Sequence, residues 1–270
     1  VGRFSHFVGS EFGGRNFLAL GLNAGVARGD EQKYIAIGQN ALGSDGSAIN
    51  VIEISQNALA VGSGDNNLAI GVSALETASG SSSQNVVVGN SGMSTGSGGS
   101  NVVIGNGALR QNIGDFNIVL GRHAGQSHTS GDSNIFIGAN TEASSPTTSH
   151  YLNVGNTIFG DMTNAAADGT GTARIGINEP SPGAELHVAG NIHFTGTLTD
   201  VSDRKKKRDV RALTGALDKL QQINGVSFIE RDNPKADRTL GLISQDVQDV
   251  YPEAVRELPD GTLALNYQGM

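Results

Sequence analysis

The sequence predicts a mainly β chain: a repetitive β-solenoid or β-roll followed by a small α+β domain. Three observations carry that expectation. A motif Asn-φ-x-φ-Gly, with φ an aliphatic residue, recurs at steps of 16 to 18 residues along the first part of the chain. Glycine supplies 39 of 270 residues, about twice the ordinary ~7%, and only five of them lie after position 201. Charge changes at the same place: residues 202–270 hold 11 basic and 11 acidic residues, so the net charge of −8 belongs entirely to residues 1–201.

Full copies of the motif are Asn67–Gly71, Asn85–Gly89, Asn101–Gly105, Asn117–Gly121 and Asn134–Gly138. Looser copies end at Gly21, Gly38 and Gly155, and Ser55 takes the glycine place in another. Several continue as x-x-Ala-Leu, at Gln39–Leu42, Gln56–Leu59, Val72–Leu75 and Asn106–Leu109. Each unit reads as a short strand, a glycine corner, a second apolar patch and a polar return, which is one rung of a solenoid. Rungs about 4.8 Å apart would stack into a rod of roughly 40 Å. The aliphatic positions are expected to supply the inward side chains. With nine Phe, four Tyr, no Trp and no Cys, that interior is thin, and partner chains are expected to complete it.

A connector follows over residues 159–201. Its short alternating pieces (Ala173–Ile177, Glu185–Val188 and Ile192–Phe194) are separated by turns at Pro180–Gly183 and Ala189–Asn191. From Ser202 the pattern becomes mixed. Leu213, Ala216, Leu217, Leu220 and Ile223 lie at helical spacing, with Gly225 as the stop. Val226–Glu230 and Thr239–Ile243 read as strands, the latter running into a short helix that ends before Pro252. Pro259–Gly261 reads as a turn between two extended pieces. The domains are therefore drawn at 1–158, 159–201 and 202–270.

Several function classes are excluded or weakened by composition. Without Cys there is neither a disulfide scaffold nor a thiolate metal site. The six His show no metal-ligand spacing; His123 and His128 read as solvated loop residues, and no metal or cofactor is expected. Gly43–Gly46 and Gly62–Asn66 are acidic enough for Ca²⁺, but the nonapeptide of calcium-binding β-rolls is absent. No apolar run approaches 18 residues, so membrane insertion is not expected. The first residues carry no signal-peptide pattern, and a chain starting at Val1 is expected to have an upstream part. The basic run Arg204–Arg208 would, alone, read as a solvated loop or a nucleic-acid patch; beside an acidic rod the latter fits poorly, and no nucleic-acid partner is expected.

The repeat spacing N-φ-x-φ-G-x-x-A-L, over roughly residues 16–155, resembles the head repeats of trimeric autotransporter adhesins and similar repeats in phage tail-fibre shafts. That resemblance implies a parallel homotrimer. The segment ARIGINEPSPGAELHVAG (Ala173–Gly190) resembles the GIG-x-x-x-P-x-x-x-L-x-V-x-G piece commonly found before the endosialidase-type intramolecular chaperone of phage fibres and tailspikes. SDRKKKRDV (Ser202–Val210) resembles that family's opening motif S-D-x-R-L-K-x-[DN]-[IV]. GLISQDVQDVYPEAV (Gly241–Val255) resembles its G-[FL]-I-A-Q-[DE]-V-x-x-x-x-P-[ED]-x-V, and LNYQGM its closing [VL]-x-Y-x-x-[LM]. In that family the domain normally continues into C-terminal helices, which are expected to be missing from a chain that stops at Met270.

The family resemblance implies self-cleavage at Val201–Ser202, with Ser202 as nucleophile and Lys207 as general base. Asp203 either orients Lys207 or caps the following segment. The chemistry is plausible on its own terms, because a hydroxyl beside its own upstream carbonyl attacks without bringing two molecules together. A Lys serves as base only once its ammonium sheds a proton, which desolvation and the like charges of Arg204, Lys205, Lys206 and Arg208 favour. Lys205 and Lys206 stand where the family usually has Arg and Leu, so this loop is expected to be more solvated than usual.

The expectation is thus a homotrimeric structural component of a phage tail fibre or appendage in the virion. It would be folded by its C-terminal domain and associated with other tail proteins, with shaft loops meeting a bacterial surface glycan or protein. Two alternatives stand beside it: a glycan depolymerase, for which Glu53 and Asp65 are the carboxylates in sequence only, and a trimeric adhesin of the bacterial cell surface. For those two carboxylates the plainer expectation is ordinary surface solvation.

Overall fold

A computed structural model describes residues 6–10, 16–25, 33–43, 50–60, 64–77, 82–163, 173–197, 199, 201–231, 237–258 and 260–267. The chain divides into two compact units, Val1–Ile192 and His193–Met270. The acidic loops considered for Ca²⁺, Gly43–Gly46 and Gly62–Asn66, lie partly outside the described residues.

The first unit is built on one 13-stranded sheet whose strands follow chain order. An antiparallel hairpin of β1 (His6–Ser10) and β2 (Asn16–Leu20) opens it. Then β3 (Lys33–Ile37), β4 (Val51–Ile54), β5 (Leu68–Ile70), β6 (Val86–Val88), β7 (Val102–Ile104), β8 (Ile118–Leu120), β9 (Ile135–Ile137) and β10 (Tyr151–Val154) each add parallel to the strand before. These are the nine repeat copies, β2 to β10, stacked as a β-solenoid. The strands β11 (Ile158–Asp161), β12 (Arg174–Ile177) and β13 (Leu186–Val188) then extend the same sheet, the first two antiparallel and the last parallel. Residues 192–194, expected as a further strand, form none.

The sequence leaves open which aliphatic positions point inward. The interior column is the x position of each motif. Ala36, Glu53, Ala69, Val87, Val103, Val119 and Phe136 pair in register along it, and all are fully buried. The Ala and Leu of the x-x-Ala-Leu patch, such as Ala58, Leu59, Ala108 and Leu109, close the interior from the other side. The φ residues on either side of x alternate outward, and Ile52, Ile104, Ile118 and Ile137 are each about two-fifths exposed. Alternation obliges this result, since neighbouring strand residues point to opposite faces.

The residue that decides the direction is Asn, which lies two places before x and shares its face. Asn67, Asn85, Asn101, Asn117 and Asn134 are buried in a column and joined into a ladder. The Asn117 amide donates to Asn101 Oδ1 and to the Gly131 carbonyl, both at 3.0 Å. Its own Oδ1 accepts from the backbone N–H of Asn134 at 2.9 Å and from the Asn134 amide at 3.0 Å. The same pattern joins Asn85 to Asn101 and Asn101 to Asn117. A buried amide is tolerated only when donors and acceptors are matched, and here each rung completes its neighbour.

Glycine at the corner answers a steric demand. Gly105 has φ +152°, and a Cβ there would collide with the Gly121 carbonyl of the next rung. Ser55 is the exception, at φ 123°, in the same rung that places Glu53 inside. The buried Leu59 and Leu109 also adopt left-handed φ, which burial and the bonds from their N–H groups to Ala74 and Ala124 carbonyls enforce.

Two of the residues read as surface groups lie in this interior. His128 is 1% exposed, packs edge-on against Phe136 with centroids 5.4 Å apart, and its Nε2 lies 3.1 Å from the Asn134 amide. Glu53 is fully buried between Ala36 and Ala69, and neither carboxyl oxygen has a hydrogen-bond partner among the described residues. Burial raises its pKa from 4.5 to about 9; the Leu42 backbone tempers this only in part, its N–H being given to Ala58. Glu53 therefore sits inside the shaft as the neutral acid near pH 7.

The second unit is small and mixed. It contains α1 (Ala216–Leu220), the antiparallel pair β14 (Val226–Phe228) and β15 (Thr239–Gly241), α2 (Ser244–Gln248), and the antiparallel pair β16 (Val255–Glu257) and β17 (Leu263–Leu265). Val247 and Ala254 are its buried apolar residues among those described. By contrast Leu213, Leu217 and Leu240 are largely exposed.

Two consequences are measurable. Asn117→Ala removes four ladder bonds and orphans buried groups on both sides, so it should cost about 3 kcal/mol in denaturant unfolding. Asn90→Ala, which loses only an exposed bond to the Val72 N–H, should cost less than about 1 kcal/mol. Equal effects would contradict the ladder. For Glu53 the folded pKa lies above the unfolded one, so its stabilising proton is fully in place below pH 4.5 and lost as pH rises toward about 9. Wild-type stability should fall by up to about 1.4 kcal/mol per pH unit through that window. Glu53→Gln should flatten that slope, and a wild-type slope no steeper than the variant's would contradict this burial.

Candidate functional site

Ser202 opens a tight turn. Asp203, in extended conformation, precedes a 3₁₀ turn over Arg204–Lys206, and its Oδ1 accepts from the Lys205 N–H at 2.8 Å. The Lys206 and Lys207 N–H groups donate to the carbonyls of Asp203 and Arg204 at 2.9 and 3.1 Å. Lys207 then leaves the turn in extended conformation, at φ −114° and ψ 144°. One compact turn between residues five apart brings their side chains together: Lys207 Nζ donates to Ser202 Oγ at 2.7 Å.

Of the two roles weighed for Asp203, the contact it makes is the cap. Its side chain makes the capping bond at the start of the turn that lies between Ser202 and Lys207. The whole segment, Val201 included, is solvent-exposed. Arg204, Lys205, Lys206 and Arg208 flank the pair in sequence and are exposed, while Asp209 is engaged with Arg211 at 2.9 Å. Chemically, the arrangement offers a hydroxyl beside the peptide carbonyl of Val201, and an amine within reach of the hydroxyl proton.

The residues considered for other chemistries are not assembled into sites. Among the described residues no group of three or more His, Asp or Glu side chains is placed to hold a metal. Glu53 lies inside the solenoid and cannot face a glycan in a surface groove. A cavity at the end of the first unit, lined by Tyr151, Asp161 and Arg174, was not foreseen from sequence. It arises from the register of non-repeating strands, which leaves no periodic signal.

The chain is thus a β-solenoid followed by a small mixed domain that opens on a Ser–Lys turn, and comparison with known proteins bears on both parts. Residues 202–256 match the family described as chaperone of endosialidase, a peptidase family. That match implies a self-cleaving chaperone domain of peptidase type. The chain is similar to the long tail fiber protein Gp37 of Escherichia phage AR1, at 39% identity over 77 residues, covering 26% of this chain and 7% of that protein. It is also similar to the long tail fiber protein Gp37 of Enterobacteria phage K3, at 30% identity over 121 residues, covering 42% and 10%. The chain thus spans at most about a tenth of the length of these relatives. No solved structure matches it.

Proposed function

We propose that this chain is part of a phage tail fibre, a structural component of the virion. In this reading its solenoid shaft assembles as a homotrimer, and the domain at 202–270 acts as a folding chaperone that cuts itself free at Val201–Ser202. The observation that carries the cleavage is the 2.7 Å contact between Lys207 Nζ and Ser202 Oγ, inside the segment that matches the chaperone family.

The steps balance without an outside reagent other than water. Lys207, as the neutral amine, takes the Ser202 hydroxyl proton while Oγ attacks the Val201 carbonyl carbon. The tetrahedral adduct collapses with loss of the Ser202 nitrogen, which leaves as an amine after receiving a proton, and an ester joins Val201 to Oγ. Water then opens the ester, giving a Val201 carboxylate and a Ser202 hydroxyl with a free α-amine. Because nucleophile and carbonyl are adjacent in one chain, no encounter entropy opposes the attack. Packing of other subunits over the exposed pair would remove competing water and favour the neutral amine.

Support for the trimer comes from the apolar groups that one chain leaves uncovered. The outward φ residues run along the shaft sheet as an aliphatic face. In the second unit, Leu213, just before α1, and Leu217 and Leu220 on it are about half or more exposed, at 74%, 68% and 48%. Association through the second unit would raise the local concentration of three shafts and nucleate a fold whose strand pairings, 16 to 18 residues apart, are otherwise slow to form.

Denaturing gels test the cleavage. Wild type should release a fragment of the size of residues 202–270, whereas Ser202→Ala and Lys207→Ala should remain full length with their solenoids intact by circular dichroism. Release of the same fragment from Ser202→Ala would overturn the assignment of the nucleophile.

A further inference from the structure

Beyond the turn at Ser202, one cavity has the character of a ligand site. It has a volume of about 340 Å³ and lies where the parallel shaft gives way to β11 and β12. Small-molecule sites commonly begin at roughly 300 Å³. Strand register builds its floor: Tyr151 on β10 is opposite Asp161 on β11, and Asp161 is opposite Arg174 on β12. Directly paired residues share a face of the sheet, so the three side chains stand in a row. Pro180 and Pro182 form part of the wall, and Ser149 and Ser181 add hydroxyls.

The row is not a closed network. Asp161 Oδ1 accepts from the Thr163 N–H at 3.0 Å. Thr163 first, and then the charges of Arg174 and His150, hold the carboxyl below its ordinary value, so it is an ionised acceptor at neutral pH. Among the described residues no ion pair joins Asp161 to Arg174, although they are cross-strand neighbours. The Arg174 guanidinium, with five N–H donors, makes a single long bond to the Pro182 carbonyl at 3.4 Å. Tyr151 O–H reaches the Pro180 carbonyl at the same long distance. Donors and an acceptor are thus held side by side with capacity to spare.

We propose that this cavity binds a neutral saccharide unit. Adjacent sugar hydroxyls both donate and accept, so one ring can give a proton to Asp161 while accepting from Arg174. A cationic ligand would meet Arg174 and an anionic one Asp161, and neither charge would be matched without opposition. Pro180 and Pro182 offer apolar surface to the C–H face of a sugar ring, and the volume suits a short saccharide segment. The inference names a place and a ligand class for the surface-binding part of the tail-fibre reading, and it does not depend on cleavage at Ser202.

Saturation-transfer NMR on the intact chain tests it, with methyl glucoside, methyl galactoside and methyl N-acetylglucosaminide as neutral probes, and glucuronate and inorganic phosphate as anionic ones. At least one neutral glycoside should bind with a millimolar or tighter dissociation constant. Arg174→Ala and the nearly isosteric Asp161→Asn should each weaken it about tenfold or more, and Ser202→Ala should not. Unchanged unfolding midpoints would confirm that both variants keep the fold. Absence of transfer to all three neutral glycosides would overturn the proposal, as would binding that both variants leave intact. Tighter binding of phosphate or glucuronate, strengthened by Asp161→Asn, would instead make this an anion site. Each of these failures would leave the gel assay of Ser202 unaffected.

Discussion

The shaft depends on the buried asparagine ladder. Each rung places a polar amide where an aliphatic residue would ordinarily go, and only the next rung at the correct height satisfies it. A slip of one residue along any strand would turn the Asn and the x residue outward and bury the φ pair, leaving backbone groups in the interior unmatched. The ladder therefore specifies register as well as adding stability. It also fixes which face of each strand is interior, and so leaves Ile104, Ile118 and Ile137 on the outside.

That allocation links the interior to assembly. An interior built mostly from Ala, Val and Leu, with Met93 and the aromatics Tyr34, Phe136, Tyr151 and Phe159 as its larger members, is narrow enough for close rung contact. The larger aliphatics that would have filled a wider core form the outer face of the sheet instead. A chain that keeps its amides inside and its isoleucines outside presents the aliphatic face that the proposed trimer would cover. The interior also admits two ionisable residues, Glu53 and His128, each at the cost of desolvation. His128 is held by Phe136 and by the Asn134 amide, while Glu53 has only its own proton to keep it neutral.

Much of this architecture was legible in the sequence, for physical reasons. Glycine corners and Asn repeat because the same steric and hydrogen-bonding demands recur at each rung, so the nine strands could be placed before any coordinates. Their facing could not, because φ-x-φ alternates equally well in either sense. The buried Asn settles it, and it does so only when the ladder is seen. His128 and Glu53 read as surface residues because burial of a polar side chain depends on the rungs above and below. Ser202 and Lys207 stood out through the motif they share with a known family. Their proximity follows from a 3₁₀ turn capped by Asp203, a local structure that five residues can encode. The Tyr151–Asp161–Arg174 row left no trace, since it joins three strands across connections of unequal length.

Sedimentation equilibrium of the Ser202→Ala chain, beside the same chain carrying Ile104→Asp and Ile118→Asp, tests the account most directly. Three copies covering the outer aliphatic face predict the mass of a trimer for the first and a loss of that trimer for the second, with the solenoid's circular dichroism preserved in both. A Ser202→Ala chain that sediments as a single folded copy at micromolar concentration would contradict the account.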